Sequence, residues 1–317
     1  MQRIGWIDFL RGVSMILILV FHTEVYFKEF NVTPYYIYTT NAIVLFYFIS
    51  GYLTHHSALH SSLRRIVRSL LIPYFVFTSL IALPKVFIRG SEINLADIAV
   101  HILSGRASWF IVALMVAELM FILLLWISRG KHSWLFIVAV ICFVTYYLIP
   151  FNQHNYWQWQ DALLAFDFLY AGYLYRQYAS LFHTINRPFY SFLFLLLLIT
   201  IKIYEYPLNL PMRNIAIENI PLFLADSIVW LLLVITLIRY IPRQRMVEWT
   251  GQHSIVYYFM AGGCPMVVSI LMRKAGLPYD GYMYRYWIAL ALTYVLATAI
   301  TWLIYRYIPY ITGKKNE

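Results

Sequence analysis

Charge is scarce in this sequence. Asp, Glu, Lys and Arg make up only 12% of its 317 residues, whereas 62% are hydrophobic and the mean hydropathy is +0.68. Soluble domains carry about twice that share of charge, so water is not the main solvent of this chain. No polar block is long enough to fold separately, and the sequence therefore predicts a single domain over residues 1–317.

Disulfide and metal chemistry also have little support. The chain has two cysteines, Cys142 and Cys264, and both lie in apolar stretches where a thiol behaves as a small hydrophobe. His55, His56 and His60 include an i, i+4 pair, but no carboxylate or cysteine lies nearby in the sequence, and we predict no metal site. A Gly-rich phosphate loop, a Gly-x-Ser-x-Gly elbow and a His-Glu-x-x-His motif are all missing, which excludes the corresponding ATPase, serine hydrolase and zinc protease chemistries.

Apolar runs separated by charged or proline-containing breaks occur ten times along the chain. Each is close to the roughly 20 residues that a helix needs to cross a bilayer. The pattern predicts an all-α, polytopic integral membrane protein of about ten transmembrane helices, followed by a short tail at 306–317. One run, at 161–176, is weaker because it is short and contains Asp161 and Asp167. The predicted spans are 10–29, 39–55, 69–88, 108–128, 134–150, 161–176, 189–206, 221–240, 255–272 and 286–305.

The net charge of +10 comes from short basic clusters between the apolar runs. With the N-terminus inside, 15 of the 24 Lys and Arg residues fall on the cytoplasmic side, and most acids fall on the other. The positive-inside rule therefore predicts that both termini are cytoplasmic. Because the basic residues form no continuous soluble face, the expected partner is the lipid bilayer and not nucleic acid. The first apolar segment lacks a small-residue cleavage site, so it is expected to remain in the mature protein.

The first predicted span carries titratable side chains, which in a membrane usually face protein or water. At 100° per residue, the eleven steps from Arg11 to His22 complete three turns with about 20° left over, so both lie on one face, about 16 Å apart along the axis. Arg11 is suited to bind phosphate, and His22 is suited to accept a proton from a hydroxyl, because an imidazole ordinarily titrates near neutral pH. Asp8 and Glu24 are candidate substrate contacts on the same helix. The alternative is an interfacial anchor at Arg11 and a hydrogen-bonded packing residue at His22.

A second basic cluster follows the second span. Arg64 and Arg68 are i, i+4 neighbours on a helix and place two guanidinium groups on one cytoplasmic face. They are suited to bind a polyphosphate, whereas the alternative is a positive-inside cluster in contact with anionic lipid. Glu118, in the middle of the fourth run, is a candidate substrate contact because carboxylates inside spans are costly. A hydrogen bond between packed helices would also explain Glu118.

Tyrosine and tryptophan are common near the predicted span ends. Trp157 and Trp159 lie between the fifth and sixth runs, and Trp109 lies at the start of the fourth. An interfacial aromatic belt explains most such residues. A platform that stacks against sugar rings is the alternative, because amphipathic rings suit both tasks, and we keep these three tryptophans as candidate substrate contacts.

Several short motifs follow one another along the chain. They are Asp8-x-x-Arg11-Gly12 followed by His22, the segment Phe46–Leu53, Arg64-x-x-x-Arg68 before Pro73-Tyr74, and the segments Ser108–Leu114, Phe168–Tyr173 and Gly251–Tyr258. In this order they resemble the acyltransferase 3 family over nearly the whole chain. The chain looks most like the branch that O-acetylates surface sugars, the fucose 4-O-acetylase-like proteins.

The resemblance implies a bacterial inner-membrane enzyme that moves an acyl group, usually acetyl, from cytoplasmic acyl-CoA to a hydroxyl of a surface or lipid-linked carbohydrate. It implies that Arg11 and His22 are the essential pair, with His22 as general base, and that Arg11, Arg64 and Arg68 bind the CoA phosphates. Acetyl-CoA is then a co-substrate, and no tightly bound cofactor is expected. The further partners it suggests are polysaccharide-synthesis proteins or a second copy of the chain.

Two features depart from the family pattern. Many relatives have a histidine where this chain has Ala261, so a proton-transfer role for the ninth span is not expected. The sequence runs only about a dozen residues past the last predicted span, so we expect no appended esterase-like domain and expect a second acyl relay to need a separate protein. Two rival classes remain: a non-catalytic transporter or flippase for a lipid-linked sugar or small anion, since Arg and His also line transport paths, and a scaffold in a synthase complex.

Overall fold

The structure is a computed structural model that describes residues 4–26, 39–55, 58–89, 94–150, 155–185, 187–205, 217, 219–238, 240–242, 244–278 and 281–313. The described residues form thirteen α-helices and contain no β-strand. The helices are α1 (Gly5–Glu24), α2 (Thr39–Leu53), α3 (Leu59–Ile66), α4 (Ile72–Arg89), α5 (Leu95–Leu103), α6 (Trp109–Ile127), α7 (His132–Leu148), α8 (Trp159–Gln177), α9 (Pro188–Glu205), α10 (Ile220–Leu237), α11 (Arg245–Gln252), α12 (Ser254–Lys274) and α13 (Met283–Tyr307).

Every predicted apolar run forms a helix. Six described stretches are long and apolar enough to cross a membrane, namely α1, the continuous helix 59–82, α6, α10, α12 and α13, and three shorter apolar helices lie within α2, α7 and α9. The weak run at 161–176 forms α8, which belongs to neither group. The prediction of an all-α multi-pass membrane protein is confirmed, and the count of ten crossings and the cytoplasmic termini stay predictions.

The hydropathy pattern does not predict α3, α5 or α11. Helices α3 and α11 have eight residues and strongly polar faces, and α5 has nine residues. None reaches the ~20 residues of a membrane span, so a search for spans passes over them. The third predicted span therefore begins ten residues late, because the helix that contains it already starts at Leu59.

The helices group into two compact units. The first unit contains Met1–Phe46, Leu181–Met212 and Ile217–Tyr307, and the second contains Tyr47–Ser180, Arg213–Ala216 and Ile308–Glu317. Helix α2 contributes to both. Below, each unit is described by itself.

In the first unit, α1 packs against α11 with almost no space between the two backbones. A Cβ atom added to Gly12 would collide with the carbonyl group of Val247, and one added to Gly251 would collide with the carbonyl group of Asp8. Small residues allow helices to approach this closely in membranes, where helix association depends on van der Waals packing. Two glycines of the sequence motifs therefore have a packing role.

The second unit contains a matching contact between α2 and α8. A Cβ atom on Gly51 would collide with the carbonyl group of Leu169, and one on Gly172 would collide with that of Phe48. Both glycines belong to motifs identified in the sequence. Arg176, near the end of α8, donates a hydrogen bond to the carbonyl oxygen of Tyr52 at 3.2 Å and so satisfies one acceptor at the end of α2.

Between α3 and α4 the helix widens into a π-helical turn at Val67–Leu71, which contains Arg68. Such turns are uncommon and occur frequently at functional sites. The last described turn of the chain, Pro309–Thr312, packs against it, and a Cβ atom on Gly313 would collide with the carbonyl oxygen of Arg68. The chain end therefore supports the backbone that carries Arg68.

We predict that Gly251→Ala destabilises the protein, whereas Gly263→Ala does not. The added methyl group at Gly251 forces α1 and α11 apart, and overpacking of this kind typically costs about 1–3 kcal/mol. A Cβ atom on Gly263 meets nothing within 4 Å, and alanine is the better helix former by about 1 kcal/mol. Thermal unfolding of both variants in the same detergent measures the difference, and equal melting temperatures would contradict the close α1–α11 contact.

Candidate functional site

Arg11 and His22 both lie on the continuous helix α1 and both are half-buried. The helix is unbroken between them, so the shared face predicted from their spacing is present. The positions between them on that face are covered, because Met15 is 0% exposed and Ile18 is 4% exposed. Arg11 and His22 are therefore the partly accessible ends of a helix face whose middle is packed.

The surroundings of His22 come from α1 itself and from α12 and α13. The ring of Phe21 contacts the imidazole edge-on, with centroids 5.1 Å apart. Two residues before His22, the carbonyl oxygen of Val20 accepts a hydrogen bond from the hydroxyl of Tyr286 at 3.2 Å. Four residues after His22, the hydroxyl of Tyr26 donates to the carbonyl oxygen of Gly262 at 3.4 Å. Two tyrosines therefore pin the end of α1 that carries His22 to its neighbouring helices.

The two carboxylates predicted near this pair occupy different positions. Asp8 is half-buried and lies three residues before Arg11, so the two share a face. Glu24 is 5% exposed and follows His22 by two residues, which turns it by about 200° to the opposite side of α1. The structure therefore places Asp8 with Arg11 and does not place Glu24 with His22.

A polar aromatic cluster lies beside the Arg11 end of α1. Nδ1 of His253 lies 2.7 Å from the carbonyl oxygen of Trp249, whose ring centroid is 4.3 Å from that of the imidazole. The hydroxyl groups of Thr250 and Tyr294 are 2.6 Å apart. These residues follow or flank the Gly251 motif, and the hydrogen bonds give that motif a role in holding α11 against α12 and α13.

A buried ion pair in the first unit was not foreseen from the sequence. Nζ of Lys202 in α9 lies 2.8 Å from Oδ1 of Asp226 in α10, and Nδ2 of Asn41 in α2 donates to Oδ2 of Asp226 at 2.7 Å. The side chain of Lys202 is 12% exposed and that of Asp226 2%. A single carboxylate in the apolar helix α10 implies that Asp226 has a polar partner. The sequence does not identify that partner, because it does not specify which helices are neighbours.

In the second unit, one face of α3 and the π turn carries exposed basic side chains. Arg64, Arg65 and Arg68 are all exposed, whereas Ser62 and Ile66 on the other side are buried. The predicted pairing of Arg64 with Arg68 on one face is thus present in the helix. Arg65 was not singled out from the sequence.

Arg65 has a specific partner, Glu118. Nη2 of Arg65 lies 3.3 Å from Oε2 of Glu118, and the hydroxyl of Ser50 donates a short hydrogen bond to Oε1 of the same carboxylate. Glu118 is 6% exposed. These contacts favour the helix-packing explanation of Glu118 over a direct contact with substrate, because both of its oxygens are engaged by protein.

The ion pair also shows which part of α6 Arg65 contacts. Glu118 is at the centre of α6, nine residues from either end and so about 13 Å along the axis from each. Helix α6 is the most apolar of the six candidate spans. Arg65 is therefore paired at the middle of an apolar helix while its own side chain is 44% exposed, and charge at such a position favours water or a polar ligand over hydrocarbon.

The tryptophans of the second unit differ in exposure. Trp109 is half-buried and packs edge-on against Phe110, with centroids 6.1 Å apart. Trp157 is half-buried in a short turn before α8, and Trp159 is 40% exposed. The turn containing Trp157 packs against Gly105, which precedes α6, so the ends of two helices meet there.

Metal chemistry finds no support in the part of the chain that the structure describes, where no group of three or more metal-ligand side chains occurs. His55 and His60 are exposed. His56 lies outside the described residues.

Comparison with known families gives the chain its class. The acyltransferase domain family matches residues 4–306, which is nearly the whole sequence. The chain belongs to this acyltransferase family, and the resemblance read from the motifs is confirmed at that level. Curated proteins and solved structures give no significant match.

We predict that the Lys202–Asp226 pair behaves as a unit in stability measurements. Lys202→Met or Asp226→Asn alone removes one partner of a buried pair, a change that typically costs about 3–5 kcal/mol. The double variant leaves no uncompensated charge and should recover much of that loss. Thermal unfolding of the four proteins tests the coupling, and strictly additive losses would show that the two residues do not depend on each other.

Proposed function

We propose that this protein is a membrane-embedded O-acyltransferase that moves an acyl group, most simply acetyl, from cytoplasmic acyl-CoA to a hydroxyl of a surface or lipid-linked carbohydrate. Membership of the acyltransferase family is the basis for proposing acyl transfer. The resemblance to fucose 4-O-acetylase-like proteins is the basis for proposing acyl-CoA as donor and a carbohydrate as acceptor. The observation that carries the proposal is the pair Arg11 and His22, the partly accessible polar ends of an otherwise covered face of α1.

His22 acts as the general base in this proposal. Its imidazole takes the proton as the acceptor hydroxyl oxygen attacks the thioester carbonyl carbon. The C–S bond then breaks, and the CoA thiolate leaves and receives that proton from the imidazolium. The products are the O-acyl sugar and free CoA, and His22 returns to its starting state.

The arginines bind the anionic end of the donor. A guanidinium group matches phosphate through paired N–H donors. Arg64 and Arg68 bind CoA phosphates from the exposed face of α3, and Arg65, held by Glu118, keeps that face oriented. The depth of this face beside α6 supports a ligand site over contact with lipid headgroups. Arg11, which shares a face of α1 with His22, is the third arginine that we propose to bind phosphate of the acyl donor.

The cellular setting follows from the same chemistry. A donor made in the cytoplasm and an acceptor destined for the surface place the enzyme in the bacterial cytoplasmic membrane, with proteins of polysaccharide synthesis, or a second copy of the chain, as partners. Trp109, Trp157 and Trp159 are candidate contacts for the sugar, since aromatic rings stack on its apolar faces.

We predict that His22→Ala lowers acyl transfer by about 10²–10⁴-fold, the usual contribution of a general base. Purified protein is incubated with radiolabelled acetyl-CoA and a lipid-linked saccharide extract, and label on glycan is counted. His55→Ala, which removes an exposed histidine, is the matched control and should retain activity. If the protein transports a substrate across vesicle membranes and turns over no acyl-CoA, it is a transporter and the proposed enzyme activity is wrong.

We predict that Arg68→Ala raises the KM for acetyl-CoA and leaves kcat nearly unchanged. If Arg68 binds the 3′-phosphate of CoA, the rise in KM caused by Arg68→Ala should be smaller with acetyl-dephospho-CoA. This donor lacks the 3′-phosphate, so neither the variant nor the unsubstituted protein can make the contact. Lys131→Ala removes an exposed cation outside the α3 cluster and is the control. An equal rise in KM with both donors would assign Arg68 to another part of CoA, and no rise would remove it from the site.

A further inference from the structure

Two turns of the second unit meet where α6 begins. The first, residues 104–108, joins α5 to α6, and the second, residues 155–158, leads into α8. The backbone N–H of Trp157 donates to the carbonyl oxygen of Ser104 at 2.8 Å, and Nε2 of Gln158 donates to that of Gly105 at 3.3 Å. The two turns therefore form one surface. The topology predicted from the charge distribution places it away from the cytoplasm.

The second turn has an unusual backbone. Trp157 and Gln158 have φ angles of 53° and 50°, in the left-handed region that residues with a Cβ atom seldom occupy. Buried hydrogen bonds hold it there: Nδ2 of Asn155 donates to Oδ2 of Asp161 at 2.7 Å, and the N–H of Gln160 donates to Oδ1 of Asn155 at 3.1 Å. Strained backbone persists where the surroundings enforce it, often at ligand sites.

The turn presents two aromatic rings outward. Tyr156 is 53% exposed and Trp159 is 40% exposed. Rings at a membrane surface are ordinarily an interfacial belt. Here Tyr156, which lies three residues before Trp159, stands beside a positioned cation, which a belt does not require.

That cation is Arg106. Its Nε donates to the hydroxyl oxygen of Ser104 at 2.9 Å, and its guanidinium carbon lies 5.6 Å from the centroid of the Tyr156 ring. Among the residues that the structure describes, no carboxylate lies within ion-pair distance of Arg106, and Asp161 is buried and bonded to Asn155. The Nη groups of Arg106 are thus oriented by their neighbours and are not committed to a carboxylate.

Arg285 is a useful comparison from the first unit. It also stands over tyrosine rings, 4.8 Å from that of Tyr282. However, its Nη1 donates to the carbonyl oxygen of Pro278 at 2.7 Å, and its Nε donates to the hydroxyl of Tyr284 at 3.1 Å. Arg285 therefore ties its own segment together, whereas the side chain of Arg106 makes one hydrogen bond within the described part of the chain, and it makes that bond through Nε and not through its Nη groups.

We propose that the surface formed by Arg106, Tyr156 and Trp159 binds an anionic saccharide. The Nη groups of Arg106 donate to a phosphate or carboxylate of the acceptor, and the two rings pack on its sugar. An oriented guanidinium favours planar or tetrahedral oxyanions through paired N–H donors. This inference rests on the proposed function, and it narrows the acceptor from any carbohydrate to one that carries negative charge.

Direct binding tests the proposal without acyl transfer. The full chain is placed in phosphatidylcholine nanodiscs and titrated with three probes: farnesyl-diphosphate-linked N-acetylglucosamine, a glucuronate-terminated disaccharide and the neutral octyl N-acetylglucosaminide. Arg106→Ala should weaken binding of at least one anionic probe by tenfold or more, since a charged hydrogen bond contributes about that much. The probe that responds distinguishes a lipid-linked phosphate from an acidic sugar.

Two variants complete the design. Arg106→Lys keeps the charge and should restore part of the affinity, and Arg285→Ala should leave binding unchanged. No binding of any anionic probe, an equal loss with Arg285→Ala, or full competition by phosphatidylglycerol in the nanodisc would overturn the proposal, the last by showing an interfacial lipid contact only. Retained binding with no acyl transfer would count against the proposed function and leave this site standing.

Discussion

Hydrocarbon does not solvate charge, and this constraint accounts for much of the architecture. A carboxylate, guanidinium or ammonium group within an apolar helix must meet an opposite charge, a set of hydrogen bonds or a water-filled space. In the first unit Asp226 meets this requirement through Lys202 and Asn41, and in the second Glu118 meets it through Arg65 and Ser50. Asp226 joins α10 to α9 and α2, and Glu118 joins α6 to α3 and α2, so each carboxylate also defines which helices are neighbours.

The same constraint distinguishes the paired Arg65 from the neighbouring arginines that we propose as ligand contacts. Arg65 is occupied by Glu118, and its neighbours Arg64 and Arg68 extend from the same helix with exposed side chains. An arginine that is accessible at the level of an apolar helix centre requires polar surroundings. A phosphate-bearing ligand meets that need as well as water does, and this is the reason for proposing the α3 face as the site of the acyl donor.

Motif residues in this protein perform two kinds of task side by side. Gly12 and Gly251 allow α1 and α11 to touch, and Gly51 and Gly172 do the same for α2 and α8. Arg11 is adjacent to the first of these glycines, so a close helix contact holds the backbone at the point from which its side chain extends. A binding residue must be held in place by rigid backbone, and the close-packed glycine contact supplies such a backbone for the role that we propose for Arg11.

The sequence by itself determined the membrane setting, the helical class and the shared face of Arg11 and His22, because hydropathy and helical periodicity are local properties. It also carried the family motifs, since these are short patterns. Only the tertiary structure decided that Glu118 belongs to Arg65, that Asp226 belongs to Lys202, and that the motif glycines lie at contacts between helices. Those outcomes depend on contacts between helices far apart in the chain, and the spacing of residues along one helix does not specify its neighbours.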